Sequence, residues 1–214
     1  MPDPTTRRKV RLEIVGRGCV IDHLLEQDDA STPLTHEERE GLIPSYITLR
    51  RELNEAEQTN ILETEVWAFT RKRDVLDERF LKRLHKRMFG RVWRWAGKFR
   101  QSERNIGVKF YRIPVDLWQL LDDCRYWIEN ETYPTDEIAT RFHHRLVLIH
   151  PFPNGNGRHA RLATDLLLVK LGRPRFSWGS VNLVDPGETR QKYVAALRAA
   201  DNHDIGPLFE FVRS

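Results

Sequence analysis

His150-Pro151-Phe152-Pro153-Asn154-Gly155-Asn156-Gly157-Arg158-His159-Ala160-Arg161 is the stretch around which the rest of the chain can be read. Before it, Phe142, Leu146 and Ile149 recur at helical spacing after Thr135, a residue type suited to an N-cap. That helix has to stop at Pro151, because proline disfavours helical backbone in the residue before it. After it, the pattern predicts a helix over 156–171, ended by Gly172 and Pro174. The glycines therefore lie where a new helix begins. A helix N-terminus offers unpaired backbone N–H groups and the positive end of its dipole, and glycines let a ligand approach that backbone closely. Arg158 and Arg161, three apart, share one face and can fork onto phosphate oxygens. His150 has an ordinary pKa suited to a general base near neutral pH. These residues read as an anion site with a base beside it; the alternative is a Gly/Pro-rich turn with solvated arginines.

Outward from this segment the signals are overwhelmingly helical. Ile61, Leu62, Val66 and Phe69 follow one helical face between about 54 and 70. Asp77 can cap a helix with Phe80, Leu81, Leu84 and Met88 inward, ended by Gly90. Pro114 suits a first helical position, followed by the stripe Leu117, Trp118, Leu121, Cys124 and Ile128. Shorter helices fit 187–200 and 204–212. Residues 97–112 alternate, contain Gly107, and read as a short hairpin or flap. The expected architecture is an all-α bundle with one small β-hairpin. Residues 1–30 read as a poorly anchored leader, 31–60 as an N-terminal segment, and 61–214 as the main domain with C-terminal helices.

Composition sets the bounds. A chain of 214 residues can bury roughly 70% of its unfolded surface, enough for one full core. With 40% hydrophobic and 31% charged residues it is globular rather than fibrous or low-complexity. The net charge of +4 allows an anionic ligand without demanding nucleic acid. Two cysteines, Cys19 and Cys124, make neither a disulfide framework nor a metal spacing. No run approaches the ~20 apolar residues of a membrane span. The N-terminus lacks a secretory signal pattern, so a cytoplasmic address is expected.

The ordered residues of 150–161 closely resemble the motif of Fic proteins, HPF-x-[D/E]-G-N-G-R-x-x-R, with one departure: Asn154 stands where the family has an acid. The stretch 89–100 (FGRVWRWAGKFR) resembles the Fic segment that leads into the flap, and Tyr111-Arg-Ile-Pro114 its exit. Together with EGLIP (40–44) and ELNEAEQTNI (52–61), the context resembles the Fic subgroup called mobile mystery protein B.

The resemblance implies a Fic-type helical bundle with a β-hairpin flap. It also implies a protein adenylyltransferase that moves AMP from ATP to a Ser, Thr or Tyr hydroxyl of a target protein. His150, Asn156 and Arg158 become the catalytic residues, with His150 as base. Gly155, Asn156, Gly157, Arg158 and Arg161 become nucleotide-binding, and the flap residues Arg104, Asn105, Ile106, Gly107 and Val108 align the target backbone. ATP is the implied substrate. Mg²⁺ is implied too, but weakened, because a neutral amide at Asn154 is a poorer ligand for a hard cation than a carboxylate. That departure keeps two alternatives open: a weak or inactive module that binds nucleotide or a partner, and a transferase using another nucleotide or phosphate donor. Many Fic proteins are held off by a glutamate paired with the second motif arginine, here Arg161. Glu40, Glu55 and Glu57 are the candidates. The subgroup implies a helix-turn-helix partner protein, as in toxin–antitoxin pairs; composition, not the resemblance, points away from a membrane and from nucleic acid as partners. The adjacent His143 and His144 suit packing or surface roles, and His159, at a variable motif position, is expected to be exposed.

Overall fold

The structure is a computed structural model and describes residues 34–180 and 187–214. The expected leader, 1–30, lies outside the described residues. The helices are α1 (His36–Arg39), α2 (Arg50–Phe69), α3 (Glu78–Phe89), α4 (Ile113–Glu129), α5 (Thr135–Ile149), α6 (Asn156–Lys170), α7 (Glu188–Asp201) and α8 (Gly206–Phe211). Single 3₁₀ turns lie at Phe110–Arg112 and Trp178–Ser180. The all-α expectation holds. Among the described residues there is no strand, and the only β feature is an isolated bridge between Leu42 and Trp93. No helix among them is long and apolar enough to cross a membrane.

Local chemistry explains the boundaries. Asp77 accepts a hydrogen bond from the Arg79 N–H (3.0 Å) and caps α3, which ends at Gly90. Pro134 rather than Thr135 is the N-cap of α5, because Thr135 already has helical backbone. α5 and α6 form the central antiparallel pair; α4 packs on α5, α3 on α6, and α2 on α3. Phe80, Leu84, Met88, Leu117, Leu120, Phe142, Leu146 and Leu167 fill the core between them. A second, smaller core joins α7, α8 and the 170s to the pair through Leu168, Phe176, Trp178, Tyr193 and Phe211.

Two expectations fail on the choice of helix face. Leu62 and Val66 are 54% and 69% exposed, whereas Leu53, Glu57, Asn60, Thr64 and Ala68 are the buried positions of α2. The period is helical as read, but α2 turns a largely polar stripe inward, on which Glu57 meets Trp93 and Arg158 and the Thr64 hydroxyl donates to the Asn60 carbonyl of its own helix. On α4, Trp118 is 62% exposed, while Leu117, Leu121 and Cys124 are buried. The α2 helix also runs unbroken through residue 60.

The expected hairpin is absent. Residues 98–109 form an irregular loop, with Gly107 at φ +96°. Two of its carbonyls, Ser102 and Val108, are collected by one side chain, Arg100, instead of by a partner strand.

Candidate functional site

His150 ends α5 in the left-handed region (φ 53°, ψ 59°), a conformation costly for a residue with a Cβ. The turn sends the chain at once into the Pro151–Gly155 loop. Two residues hold that loop. The Asn156 side chain accepts from the Phe152 N–H (2.9 Å) and donates to the Phe152 carbonyl (2.8 Å), closing the loop on itself. Phe152 is fully buried, and His85 stacks on its ring at 3.8 Å. The His85 Nδ1 accepts from the Gly97 N–H (3.0 Å), so Nε2 carries the proton and donates to the Asn154 carbonyl (3.0 Å). Gly155 is the N-cap of α6 at φ 79°, and a Cβ there would meet the Phe89 ring at 2.6 Å. Glycine is required by both the dihedral and the space.

α6 then starts with Asn156, Gly157 and Arg158, so its first N–H groups and dipole face the turn. Arg158 lies over the Phe89 ring (4.8 Å) and donates from Nη1 to the Glu57 carboxylate at 2.6 Å. The other Glu57 oxygen accepts from the Trp93 indole N–H, also at 2.6 Å. Arg161 is half-buried one turn on, where it hydrogen-bonds Tyr193 and lies over that ring at 5.8 Å. Burial lowers the Arg161 pKa, and Tyr193 works against that. The Tyr193 hydroxyl also meets His143 Nε2 at 2.8 Å, and Trp178 packs on His143 at 4.6 Å. The second arginine is thus anchored by the C-terminal helices.

Of the three candidate glutamates, only Glu57 reaches a motif arginine among the described residues, and it is the first arginine, not the second. Arg161 sits deeper and is engaged by Tyr193. Glu40 is exposed and pairs with His36 (3.6 Å), and Glu55 is exposed. His144 pairs with Asp201 (2.8 Å). His159 is fully buried rather than exposed, and its Nε2 donates to the Leu81 carbonyl at 3.0 Å.

Burial dominates the electrostatics. It pushes His150 and His159 down to about 4 and His143 to about 3, and it holds His85 well below its ordinary value. For His150 the Arg100 and Arg104 cations add to the effect, while a hydrogen bond to the Val147 backbone opposes it. The imidazole is therefore neutral at pH 7.

In the flap, Arg104 is buried in an ion pair with Glu38 of α1 rather than presented to solvent. Asn105 and Ile106 are exposed, Val108 is half-buried, and Gly107 passes so close that a Cβ would lie 2.6 Å from that of His150. Sequence reading gave no role to Arg100, His85 or Tyr193. Of these, Arg100 lies in the 89–100 stretch that resembles the segment leading into the flap, and the others carry no periodic or motif signal. No group of three or more His, Cys, Asp or Glu side chains among the described residues could hold a metal. The Asn154 side-chain oxygen accepts from the Gly155 N–H at 2.6 Å and so faces its own loop.

This arrangement has known counterparts. The Fic/DOC family model matches residues 75–168. The protein adenylyltransferase Fic of Drosophila virilis is 33% identical over 134 residues, 60% of this chain and 26% of that protein. The protein adenylyltransferase fic-1 of Caenorhabditis briggsae is 36% identical over 121 residues, 55% of this chain and 22% of that protein. This chain thus spans about a quarter of the length of these relatives. Among solved structures, the N-terminal Fic domain of a VirB-translocated Bep effector from Bartonella quintana superposes with a TM-score of 0.66 at 17% identity. That match covers 84% of this chain and 92% of the other. BepC of Bartonella tribocorum, solved with bound AMPPNP, gives 0.63 at 18%, covering 84% and 97%. The left-handed histidine, the glycine N-cap and both motif arginines all lie inside the segment, residues 75–168, that matches the Fic/DOC family model.

Proposed function

We propose that this protein is a Fic-type protein adenylyltransferase that moves AMP from ATP to a Ser, Thr or Tyr hydroxyl of a target protein. One observation carries the reading: a buried, neutral His150 opens the loop whose far end, Gly155–Gly157, begins α6, with Arg158 and Arg161 in its first turns. The relatives' names as adenylyltransferases, and the AMPPNP bound to BepC, support the same chemistry.

In this reading the triphosphate lies across the α6 N-terminus, where backbone N–H groups and the helix dipole meet its charge. Gly155, Asn156 and Gly157 cradle it, Arg158 faces the β-phosphate and Arg161 the terminal one. His150 takes the proton of the target hydroxyl as that oxygen attacks the α-phosphorus. The new O–Pα bond forms, the Pα–O bond to the β-phosphate breaks, and pyrophosphate leaves with both arginines offsetting its charge. The arriving anion also counters Arg100 and Arg104, which raises the His150 pKa toward the range a general base needs. Arg104, Asn105, Ile106, Gly107 and Val108 form the flap along which the target backbone aligns.

Mg²⁺, when it accompanies ATP, offsets phosphate charge. Asn154 fits poorly as its ligand, since its amide oxygen already accepts from Gly155 and, among the described residues, no cluster of metal-ligating side chains is present. No step here runs through the metal. The same asparagine favours a second reading, a nucleotide- or partner-binding module with weak transfer. Glu57 is the candidate inhibitory residue, because its carboxylate occupies Arg158. Membership of the mobile mystery protein B subgroup and a helix-turn-helix partner complete the reading; they rest on EGLIP (40–44), ELNEAEQTNI (52–61) and the 150–161 motif together.

The test is incubation with ATP labelled at the α-phosphate, with the protein alone and with cell lysate. Label should appear on protein, disappear in His150→Ala, and rise severalfold in Glu57→Gln. Labelling by His150→Ala at the wild-type level overturns the mechanism. Label transferred only from the γ-phosphate overturns the donor assignment.

A further inference from the structure

Arg100 is 1% exposed, yet its side-chain hydrogen bonds among the described residues go to main-chain carbonyls and not to a carboxylate. Its guanidinium is spent on main-chain carbonyls. Nε donates to His150 at 2.7 Å, Nη1 to Ser102 at 2.9 Å, and Nη2 to Val108 and, at 3.5 Å, to Ile149. Its own N–H donates to the Pro151 carbonyl at 3.0 Å. Two of these acceptors, Ser102 and Val108, bracket the flap, and three, Ile149, His150 and Pro151, surround the left-handed turn that carries the histidine. Burying a cation is costly unless its donors are satisfied. Here the planar fork of arginine is what reaches both segments at once.

We propose that Arg100 is the positioning residue that makes the flap and His150 one unit, fixing the histidine's strained backbone and setting its electrostatic environment through the same side chain. A helix C-cap held at φ 53° needs its neighbours to over-determine it, and Arg100 supplies that from outside the motif. Gly107 completes the coupling. Its backbone runs against the His150 Cβ and the Arg100 guanidinium, so the flap cannot shift inward without moving the histidine. The cations acting on the ring are Arg100 and Arg104, both from the 98–109 loop, and Arg104 carries its own counter-charge, Glu38 of α1. Arg100 feels Glu103 and Glu38 as well, but its donors go to main-chain carbonyls rather than to either carboxylate. A target strand laid on the flap would therefore be felt at the base through a single guanidinium. This last consequence rests on the proposed transfer activity; the link between Arg100, flap and histidine does not.

The experiment compares wild type, Arg100→Lys and Arg100→Gln by two measurements that need no transfer. One is the pH titration of the His150 ring by NMR, assigned with His150→Ala. The other is amide hydrogen exchange across 101–109. Lysine keeps the charge but cannot span the carbonyls. It should speed flap exchange about tenfold or more and leave the ring's pKa low. Glutamine should speed exchange as much and also raise the ring's pKa by about one unit. If both variants keep wild-type flap exchange, the positioning role is overturned. If glutamine leaves the titration unchanged, the electrostatic half is overturned. Should Arg100→Gln fail to fold, Arg100→Lys still decides the positioning role, and Arg104→Gln, which leaves Arg100 in place, decides whether the loop cations set the titration. With α-labelled ATP the lysine variant should lose kcat with little change in KM for ATP. Absence of labelling in wild type would count against the transferase reading alone.

Discussion

Two irregular segments meet at His150, and they are held in opposite ways. The 150–155 loop is held from within and below: Asn156 closes it, Phe152 plugs it into the core, and His85 braces it from α3. The 98–109 flap has no fully buried apolar plug: Phe99 and Val108 only lean on the core half-buried, and the segment hangs mainly on Arg100, with Arg104 tied to Glu38 as a second anchor. The loop rests on neutral, buried aromatic and imidazole rings. The flap rests on permanently charged guanidiniums. Perturbations should therefore separate the two.

Acid gives the largest expected effect, and it falls on buried imidazoles beneath the loop (His159, against Phe152) and in the neighbouring C-terminal core (His143, against Tyr193), not on the flap. His143 and His159 are fully buried, with pKa values pushed to about 3 and about 4 by burial. A histidine whose folded pKa is depressed contributes stability that is fully present above the unfolded value of about 6.5. That stability is lost as pH falls from there through the folded value, because the unfolded chain then binds more protons. Together the two groups should remove several kcal/mol between about pH 6.5 and 4. The arginines of the flap do not titrate in that range. Urea midpoints measured from pH 7.5 to 4 should fall steadily, and a flat profile would mean that these rings are not buried neutral.

Gly155→Ala comes next. The new Cβ adopts φ 79° and meets the buried Phe89 ring at 2.6 Å, so strain and overpacking add. The expected loss is about 3 kcal/mol, read as a drop in Tm. That glycine was legible in the sequence, as were the helices, the loop and the two arginines, because fixed spacing and turn chemistry are local properties. The inward face of α2 was not. Glu57 is buried because Arg158 and Trp93 meet it across the fold, Asn60 and Thr64 lie on the same inward stripe, and hydrophobic periodicity cannot signal a polar stripe that becomes buried. Arg100, one of 35 basic residues, carries no local mark of the carbonyls it will collect. His159 looked variable and therefore exposed, yet its position on α6 turns it onto the Leu81 carbonyl. What escaped the sequence is partnership between distant segments.

Gly107→Ala should have the smallest effect on stability and is the sharpest test of the contrast. Its φ of +96° is as unfavourable as that of Gly155, and its Cβ would stand 2.6 Å from the His150 Cβ and 2.9 Å from the Arg100 guanidinium. The difference lies in what can yield. Around Gly155 the obstacle is a core ring with nowhere to go, whereas Gly107 lies in an exposed flap that can move outward. The flap's retreat should limit the loss to about 1 kcal/mol. It must also stretch the Arg100 bonds to Val108 and His150, so the displacement is transmitted to the base rather than to the core. Gly107→Ala should then lose more α-phosphate labelling than Gly155→Ala at a temperature where both are folded, although it melts higher. Equal losses of stability in the two variants would show that the flap is as tightly built as the loop, and the distinction between them would fall.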